Sequence, residues 1–336
     1  MQPNKNLITI SDNPHLIVEL LQDLVLAPRL KALAWSKVTK QTPNMKIGYP
    51  GQHLVSLALG MEGARTGARG HDIVDGSEVK SCSRVDQVDS CMECGEKVLR
   101  IEKSCPVCES TQIKRMNDSK WLFTIRSEND LKVLLNDVDR VVLAIADYPN
   151  FSKGDFEDLR FQLFEIWTKS PRCINFKKLM ENYYYKVYLK HKSNDAEKTP
   201  APCNFWTFMF QFYMCNPIKI LDCLVKGANT KNPKTSITHY IEPELDRATI
   251  DSELMPTTIL TPQEIRSYIE TLLDSELTHL ISEEKTIEDL RILFKLKRFN
   301  SSKLAEILPF IDEKIRQKIP LRELNEIKVQ EKYRRK

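Results

Sequence analysis

Apolar residues in the N-terminal part of the chain recur every three or four positions, which is the spacing of one helical face. The first run follows Asp12-Asn13-Pro14, where a capping side chain and a proline at the first helical position predict a helix start. Pro28 is expected to end or kink this helix, and a second helical pattern follows it. A third amphipathic run predicts a helix from Gly51 to Met61.

Shorter apolar runs farther along the chain predict strands. Trp121–Ile125 and Gln162–Trp167 are strand candidates, and the continuous apolar run Arg140–Ala146 predicts a buried strand. Phe205–Tyr213 alternates around large aromatic residues and predicts a core strand rather than a base-stacking surface, whereas residues 227–255 are turn-rich and predict loops. The order of strand, helix and strand indicates an α/β (α+β) core with a mixed sheet flanked by helices.

The last part of the chain returns to helical spacing. Thr261-Pro262-Gln263-Glu264 is a capping box with proline at the first helical position, and it predicts another helix start. We therefore predict a core over residues 1–260, which includes the N-terminal helices, and a helical C-terminal region over residues 261–336.

One short stretch combines a turn signal with acidic and basic side chains. Ile73-Val74 is predicted to end a strand, Asp75-Gly76 is a hairpin-turn dipeptide, and Glu78-Val79-Lys80 alternates as a second strand. Because side chains alternate between the faces of a strand, Glu78 and Lys80 are expected to share a face. Asp72, on the partner strand, can approach both of them.

Two carboxylates within reach of each other repel unless a cation lies between them, and hard oxygen ligands with room for water suit Mg²⁺. Asp72 and Glu78 are therefore predicted to hold Mg²⁺. Lys80 is predicted to orient the attacking water and to offset developing negative charge. Together the three side chains suit metal-assisted phosphodiester hydrolysis.

Asp72 and Glu78-x-Lys80 after a tight turn resemble the active-site hairpin of the PD-(D/E)xK nuclease superfamily, with His71 in place of the proline that names the motif. The surrounding sequence resembles the MamI-type group of type II restriction endonucleases. That resemblance rests on residues 48–52, 66–70 and 81–87 and on a four-cysteine insert, and it is most specific from about Gly48 to Cys108.

The resemblance implies a Mg²⁺-dependent, sequence-specific endonuclease that cuts palindromic double-stranded DNA. A twofold-symmetric target implies a homodimer, and a cognate methyltransferase is implied as a functional partner. In the superfamily the helix before the hairpin often presents an acidic residue to the metal, so Gln52 and Glu62 are further candidates for the catalytic site. Gln52 would be a departure from that pattern.

Three arginines are candidates for DNA contacts. Arg65 and Arg69 lie in the glycine-rich run 63–70, where backbone amides and guanidinium groups could approach a phosphate, and Arg84 follows the hairpin. A flexible connector with exposed arginines is an equally good interpretation of this run. Its spacing is not that of a P-loop or a dinucleotide fingerprint.

Four of the nine cysteines form two CxxC pairs, Cys91 with Cys94 and Cys105 with Cys108. Two such knuckles supply four thiolates in tetrahedral geometry, and Gly95 permits the turn after the first pair. The pattern predicts a structural Zn²⁺ ribbon inserted at about residues 88–112, in preference to redox-active cysteines. A closed Cys₄ site has no open coordination position, so this zinc should stabilise the fold and not catalyse.

Composition adds limits to this interpretation. A hydrophobic content of 41% supports a sizeable core, and a net charge of +4 requires that any DNA-binding surface gather basic residues on one face. No run has the length or character of a signal peptide or a transmembrane helix, so we expect a cytoplasmic, prokaryotic protein without membrane contact.

Two other functions fit the same sequence. A structure-selective repair or recombination nuclease would use the same chemistry on branched or damaged DNA. A non-enzymatic zinc-ribbon DNA-binding regulator would use the hairpin only as structure.

Overall fold

The computed structural model describes residues 1–65, 71–296 and 298–322. The chain forms two compact units, each built from separate segments. The first unit comprises Met1–Phe123, Lys132–Lys169 and Lys219–Ala248, and the second comprises Thr124–Leu131, Ser170–Ile218 and the chain from Thr249 onward. The predicted boundary near residue 260 falls inside the last segment of the second unit. The division into a core over residues 1–260 and a C-terminal region over residues 261–336 stays a prediction.

Helices and strands alternate along most of the described chain. The α-helices are α1 (Asn13–Leu21), α2 (Ala27–Thr39), α3 (Gly48–Leu59), α4 (Glu128–Lys132), α5 (Ile174–Asn182), α6 (Leu189–Asn194), α7 (Phe210–Met214), α8 (Pro262–Glu264), α9 (Asp274–Leu277), α10 (Ile287–Lys295), α11 (Ser301–Ile307) and α12 (Glu313–Arg316). The strands are β1 (Glu78–Ser83), β2 (Val88–Cys91), β3 (Lys97–Leu99), β4 (Ile113–Lys114), β5 (Lys120–Phe123), β6 (Val141–Asp147), β7 (Leu159–Ile166), β8 (Cys203–Trp206), β9 (Ile218–Lys226), β10 (Lys234–Tyr240), β11 (Met255–Pro256) and β12 (Phe310–Ile311).

A five-stranded sheet in the order β1-β6-β7-β9-β10 forms the centre of the first unit. β1 runs parallel to β6, with Glu78 opposite Val141, while β6 and β7 are antiparallel and so are β9 and β10. Every residue of β6 is buried, as its continuous apolar run predicted. The mixed sheet and its flanking helices confirm the predicted fold class.

The first helix begins at Asn13 with Pro14 in its first turn, which confirms the predicted start, but the roles of Asp12 and Pro28 differ from the prediction. Asp12 adopts a left-handed conformation and its side chain makes no capping hydrogen bond. Pro28 neither ends nor separates the helices, because a π-helical turn over Gln22–Leu26 joins α1 to α2. Such a turn changes the hydrogen-bond spacing just before the proline, where an ordinary α-helix would need the missing N–H.

Two predictions about the later strands are wrong in part. The aromatic run from Phe205 does not continue as one strand: β8 ends at Trp206, and Phe208 takes a left-handed φ of 53° before the short helix α7. Alternation is a weak guide here because most residues of the run are buried. The predicted loop 227–255 contains β10, an edge strand in which exposed residues alternate with partly buried ones. Only Ile237 and Tyr240 among its residues are hydrophobic, so the apolar alternation that marks a strand is weak.

The second unit contains the helical C-terminal segment. Its predicted capping box is confirmed, since the Glu264 N–H donates to Thr261 Oγ1 at 3.2 Å and the Thr261 N–H donates to Glu264 Oε2 at 2.8 Å. β11 and β12 pair antiparallel, with Met255 opposite Ile311. Residues 323–336 of the predicted helical region lie outside the described chain.

Among the described helices, none is both long enough and apolar enough to cross a bilayer.

A buried arginine connects β6 and β7 to the segment before β1. Arg140 Nη1 donates to Glu165 Oε1 at 2.9 Å, its Nη2 donates to Asp75 Oδ2 at 2.6 Å, and its Nε donates to Ser77 Oγ at 2.8 Å. Glu165 also accepts a hydrogen bond from Arg247 Nε at 3.2 Å. Because these charged groups are almost completely buried, each depends on its partners for the interactions that water would otherwise supply.

Replacement of Arg140 by methionine should lower the free energy of unfolding by about 3–5 kcal/mol, because it leaves Asp75 and Glu165 without their main partner. Urea denaturation would measure the change. A matched control is Lys169→Met, which breaks the half-exposed pair with Asp139 and should cost at most about 1 kcal/mol. Equal effects of the two substitutions would contradict a special role for Arg140.

Candidate active site and metal centre

Residues 72–78 form a tight turn, here called the acidic turn, which ends at Glu78, the first residue of β1. The N–H groups of Asp72 and Ile73 donate to the Ser77 carbonyl at 3.0 and 3.2 Å, and the Gly76 N–H donates to the Ile73 carbonyl at 3.0 Å. Gly76 has a φ of 86°, a conformation that glycine adopts without strain. The predicted Asp75-Gly76 turn is therefore present.

The hairpin predicted around this turn does not form. Ile73 makes only an isolated antiparallel bridge with Gly63, so Ile73-Val74 is not a strand. β1 pairs instead with β6, which lies far along the chain. A turn dipeptide is a local signal that cannot specify which distant strand becomes the partner, and this explains the error.

The Asp72 carboxylate is fixed by donors from two elements. Its Oδ2 accepts the Val79 N–H of β1 at 2.8 Å, and its Oδ1 accepts Gln52 Nε2 of α3 at 2.7 Å. Each carboxylate oxygen retains a further lone pair for another partner. Gln52 is therefore in direct contact with one of the predicted catalytic residues.

Close packing of α3 against β1 explains how Gln52 reaches the turn. A Cβ atom at Gly51 would lie 2.3 Å from Ser81 Oγ, so only glycine allows this approach without a shift. Ser81 Oγ is buried and has no hydrogen-bond partner in the described structure. The neighbouring residue, Gln52, is thereby held at the level of Asp72.

Glu78 and Lys80 interact on the partly exposed face of β1. Lys80 Nζ donates to Glu78 Oε1, and the two side chains are 27% and 21% exposed. Val79, between them, is buried on the opposite face. The predicted alternation is therefore found, and the pair lies next to the backbone N–H that holds Asp72.

The other candidates for the site have different surroundings. Glu62 is exposed, and its backbone carbonyl accepts the Val74 N–H at 3.1 Å. Arg65 is exposed, and Arg69 lies outside the described residues. Arg84 is engaged within the protein, because its Nη1 donates to Asp147 Oδ2 at 2.9 Å with both side chains largely buried. This ion pair could not be predicted from sequence spacing, because Arg84 and Asp147 are far apart in the chain.

The donor set of the acidic turn suits Mg²⁺. Asp72 and Glu78 offer hard carboxylate oxygens, and Mg²⁺ keeps several of its bound waters and needs few protein ligands. Within the described chain, only the four paired cysteines form a group of three or more His, Cys, Asp or Glu ligands. A cation at the acidic turn would therefore take its remaining ligands from water or from a substrate.

The four paired cysteines meet in a Cys₄ cluster, whose sulfurs all lie within 4.8 Å of one another. The Cys91 and Cys108 sulfurs are 3.5 Å apart, and so are those of Cys94 and Cys105. Tetrahedral zinc with Zn–S bonds of about 2.3 Å requires sulfurs about 3.8 Å apart. The geometry of the cluster fits zinc, and the predicted grouping is confirmed.

The two knuckles of the cluster repeat the same backbone pattern. The Cys91 N–H donates to the Glu96 carbonyl and the Cys105 N–H to the Ser110 carbonyl, both at 2.8 Å. Gly95 occupies the left-handed position of the first knuckle, as predicted, and Glu109 occupies it in the second with a φ of 60°. A backbone hydrogen bond from Cys94 is the main cause that lowers the pKa of Cys91 to about 7, which favours the thiolate form that metals bind.

The cluster lies in a Cys₄ ribbon, residues 88–114, whose strands pair in the order β3-β2-β4. Its small core consists of Cys91, Cys105 and Val98, with Ile113 packed against them. A core of this size cannot stabilise a fold by itself, so a metal ion would supply much of its stability.

The structure defines an α/β protein with a mixed sheet, an acidic turn at its edge strand and an inserted Cys₄ ribbon. The sequence model of the MamI restriction endonuclease family matches residues 34–258, which is more than half of the chain, and the chain belongs to this family. The resemblance to the MamI-type group inferred from the sequence is thereby confirmed.

One similar protein is the type II restriction enzyme MamI of Microbacterium ammoniaphilum, which is 32% identical over 82 residues. The alignment covers 24% of this chain and 27% of the relative, so it spans only about a quarter of either protein. No solved structure matches the chain.

The purified protein should contain about one zinc ion per chain, and a Cys108→Ser variant should lose most of it, because three thiolates and a hydroxyl bind zinc much more weakly than four thiolates. Elemental analysis would measure the metal and thermal denaturation the accompanying loss of stability. Cys82→Ser, outside the Cys₄ cluster, should keep its zinc. Full zinc content in the Cys108 variant would contradict the assignment.

Proposed function

We propose that this protein is a Mg²⁺-dependent type II restriction endonuclease that hydrolyses phosphodiester bonds of double-stranded DNA at a specific sequence. The observation that carries the proposal is the acidic turn, where Asp72 is held between α3 and β1 beside the Glu78–Lys80 pair. Membership of the MamI restriction endonuclease family supports the same reaction class.

Asp72 and Glu78 are the residues that would hold the cation, which when bound supplies polarisation of the scissile phosphate and activation of water. Asp72 is oriented for this by the Val79 N–H and by Gln52, so its carboxylate needs little reorganisation. Lys80 carries three N–H donors on its ammonium group. It can keep one on Glu78 and direct the others to a water or to a phosphate oxygen, where they offset developing negative charge.

The remaining features of the proposal follow from the type of substrate. Cleavage of both strands of a palindromic site suits a homodimer with one acidic turn per strand. The cognate methyltransferase would protect host DNA without needing to contact this chain, and both enzymes would act in the prokaryotic cytoplasm. The Cys₄ ribbon would bind zinc as a structural element only, because all four ligand positions are filled by cysteines.

Incubation of the protein with supercoiled plasmid and Mg²⁺ tests the proposed function against its rivals. Discrete fragments with a common sequence at their ends would support a restriction endonuclease. Smearing, or preferential cutting of branched substrates, would instead support a repair or recombination nuclease. Failure to cleave with any divalent metal would leave a zinc-ribbon regulator as the better interpretation.

The Asp72→Asn and Lys80→Ala variants should each cleave plasmid at least about 10²-fold more slowly than the wild type, because each loses a charge that acts at the reacting phosphate. Single-turnover cleavage rates would measure this. Asp23→Asn and Lys5→Ala, which make the same changes at exposed positions, should cleave at close to the wild-type rate. Cleavage at the wild-type rate by a folded Asp72→Asn variant would disprove the site assignment.

A further inference from the structure

The segment from Leu24 to Met61 contains basic residues and no acidic ones. The whole chain has 46 aspartates and glutamates among its 336 residues, and Asp23 and Glu62 directly flank the segment. Its lysines are therefore not offset by neighbours in sequence. Such an arrangement favours a locally positive surface although the net charge of the protein is only +4.

Four lysines of the segment are available to a partner, whereas its arginine is not. Arg29 is buried, where it pairs with Asp86 and donates to the Tyr148 hydroxyl at 3.2 Å. The lysines are all exposed, and in the described part of the chain none of them forms an ion pair. We call them the basic surface: Lys31, Lys37, Lys40 and Lys46.

The basic surface leads along the chain to the acidic turn. Lys40 directly follows α2 as its C-cap residue, and Lys46 lies two residues before α3 begins. One turn into α3, Gln52 donates to Asp72 Oδ1. Tyr49, on the turn before Gln52, is 81% exposed, so the surface of α3 next to the candidate site is open. The stretch that carries Lys40 and Lys46 therefore leads directly into the helix that contacts Asp72.

Exposed apolar side chains lie beside one of these lysines. Trp35 is 67% exposed on α2, with Val38 one turn after it and Lys31 one turn before it on the same outer face. A large exposed apolar group next to a cation indicates a contact surface rather than an ordinary solvated helix face. A twofold contact centred on this surface would bring lysines against lysines without acids to pair with them, so a second copy of the chain fits it poorly.

We propose that the basic surface binds the phosphate backbone of duplex DNA beside the acidic turn. The inference rests on the proposed function for the identity of the polyanion, and it assigns the contact to residues other than Arg65, Arg69 and Arg84. Phosphate contacts of this kind fix the position of the duplex and carry no sequence information. Each should contribute to the salt dependence of binding through release of counterions.

Binding of a fluorescently labelled duplex of arbitrary sequence, followed by anisotropy over a range of salt concentrations, tests the proposal. The assay omits added divalent metal and avoids chelators, so that the DNA stays intact and the Cys₄ cluster is not stripped. The double variant Lys40→Gln/Lys46→Gln should reduce the slope of log K against log salt by about 2, because two phosphate contacts are lost. The matched control Lys153→Gln/Lys231→Gln removes two equally exposed lysines of the same unit and should keep the wild-type slope.

An unchanged slope in the Lys40/Lys46 variant would overturn the proposal. The proposal would also be overturned if Trp35→Ser converted a dimer to monomers while the Lys40/Lys46 variant bound DNA normally. In that case a second copy of the chain would cover the surface. Sedimentation velocity distinguishes that case. If the Lys40/Lys46 variant shows the reduced slope but the wild type does not cleave plasmid, the DNA contact of the basic surface is supported and the proposed nuclease is contradicted. If the wild type cleaves plasmid but the slope of the variant is unchanged, the nuclease is supported and the DNA contact is contradicted.

Discussion

Arg140 extends from the start of β6 into the acidic turn and joins three parts of the first unit. Its side chain bonds Asp75 and Ser77 in the turn and Glu165 on β7, while its backbone carbonyl accepts the Glu78 N–H at 3.1 Å. Burial of these charges is costly and is offset only when each group is hydrogen-bonded in good geometry. The turn therefore has few alternative conformations, and the positions of Asp72 and Glu78 depend on this network.

Buried arginines also connect the Cys₄ ribbon to the rest of the first unit. Asp89, fully buried in the ribbon, pairs with both Arg100 and Arg115. Arg100 stacks over the rings of Phe151 and Phe156, with its charged carbon 4.9 and 5.2 Å from the ring centroids. Burial lowers the pKa of Arg100, and its Nε and Nη1 have no hydrogen-bond partner in the described structure, so the aromatic faces supply part of the missing stabilisation. A ribbon anchored in this way is held as a fixed part of the unit.

Local signals in the sequence identified much of this molecule. The Asp75-Gly76 turn, the alternation of Glu78 and Lys80, the buried strand β6 and both CxxC knuckles are determined by residues close to one another in the chain. Contacts between distant residues could not be predicted in this way.

Nothing in the spacing indicates that Arg140 pairs with Glu165, or that Arg84 is neutralised by Asp147. The parallel partner of β1 is likewise fixed by burial of β6 and not by the turn before β1. A single sequence shows which residues have suitable chemistry, but the tertiary fold decides which of them remain available for it.

The charges at the acidic turn bear on how a metal and DNA would bind under the proposed function. Lys80 neutralises Glu78, and two neutral N–H donors already occupy lone pairs of Asp72, so these three side chains offer a cation only the single net negative charge of Asp72. Mg²⁺ loses its hydration shell reluctantly and usually binds through one or two carboxylates together with phosphate oxygens. Binding of the cation and of the DNA strand should therefore reinforce each other, because the phosphate both completes the ligand set and gives Lys80 an alternative acceptor to Glu78. Under the proposed function, the acidic turn would therefore be inactive until a duplex is in place, and the basic surface would position that duplex.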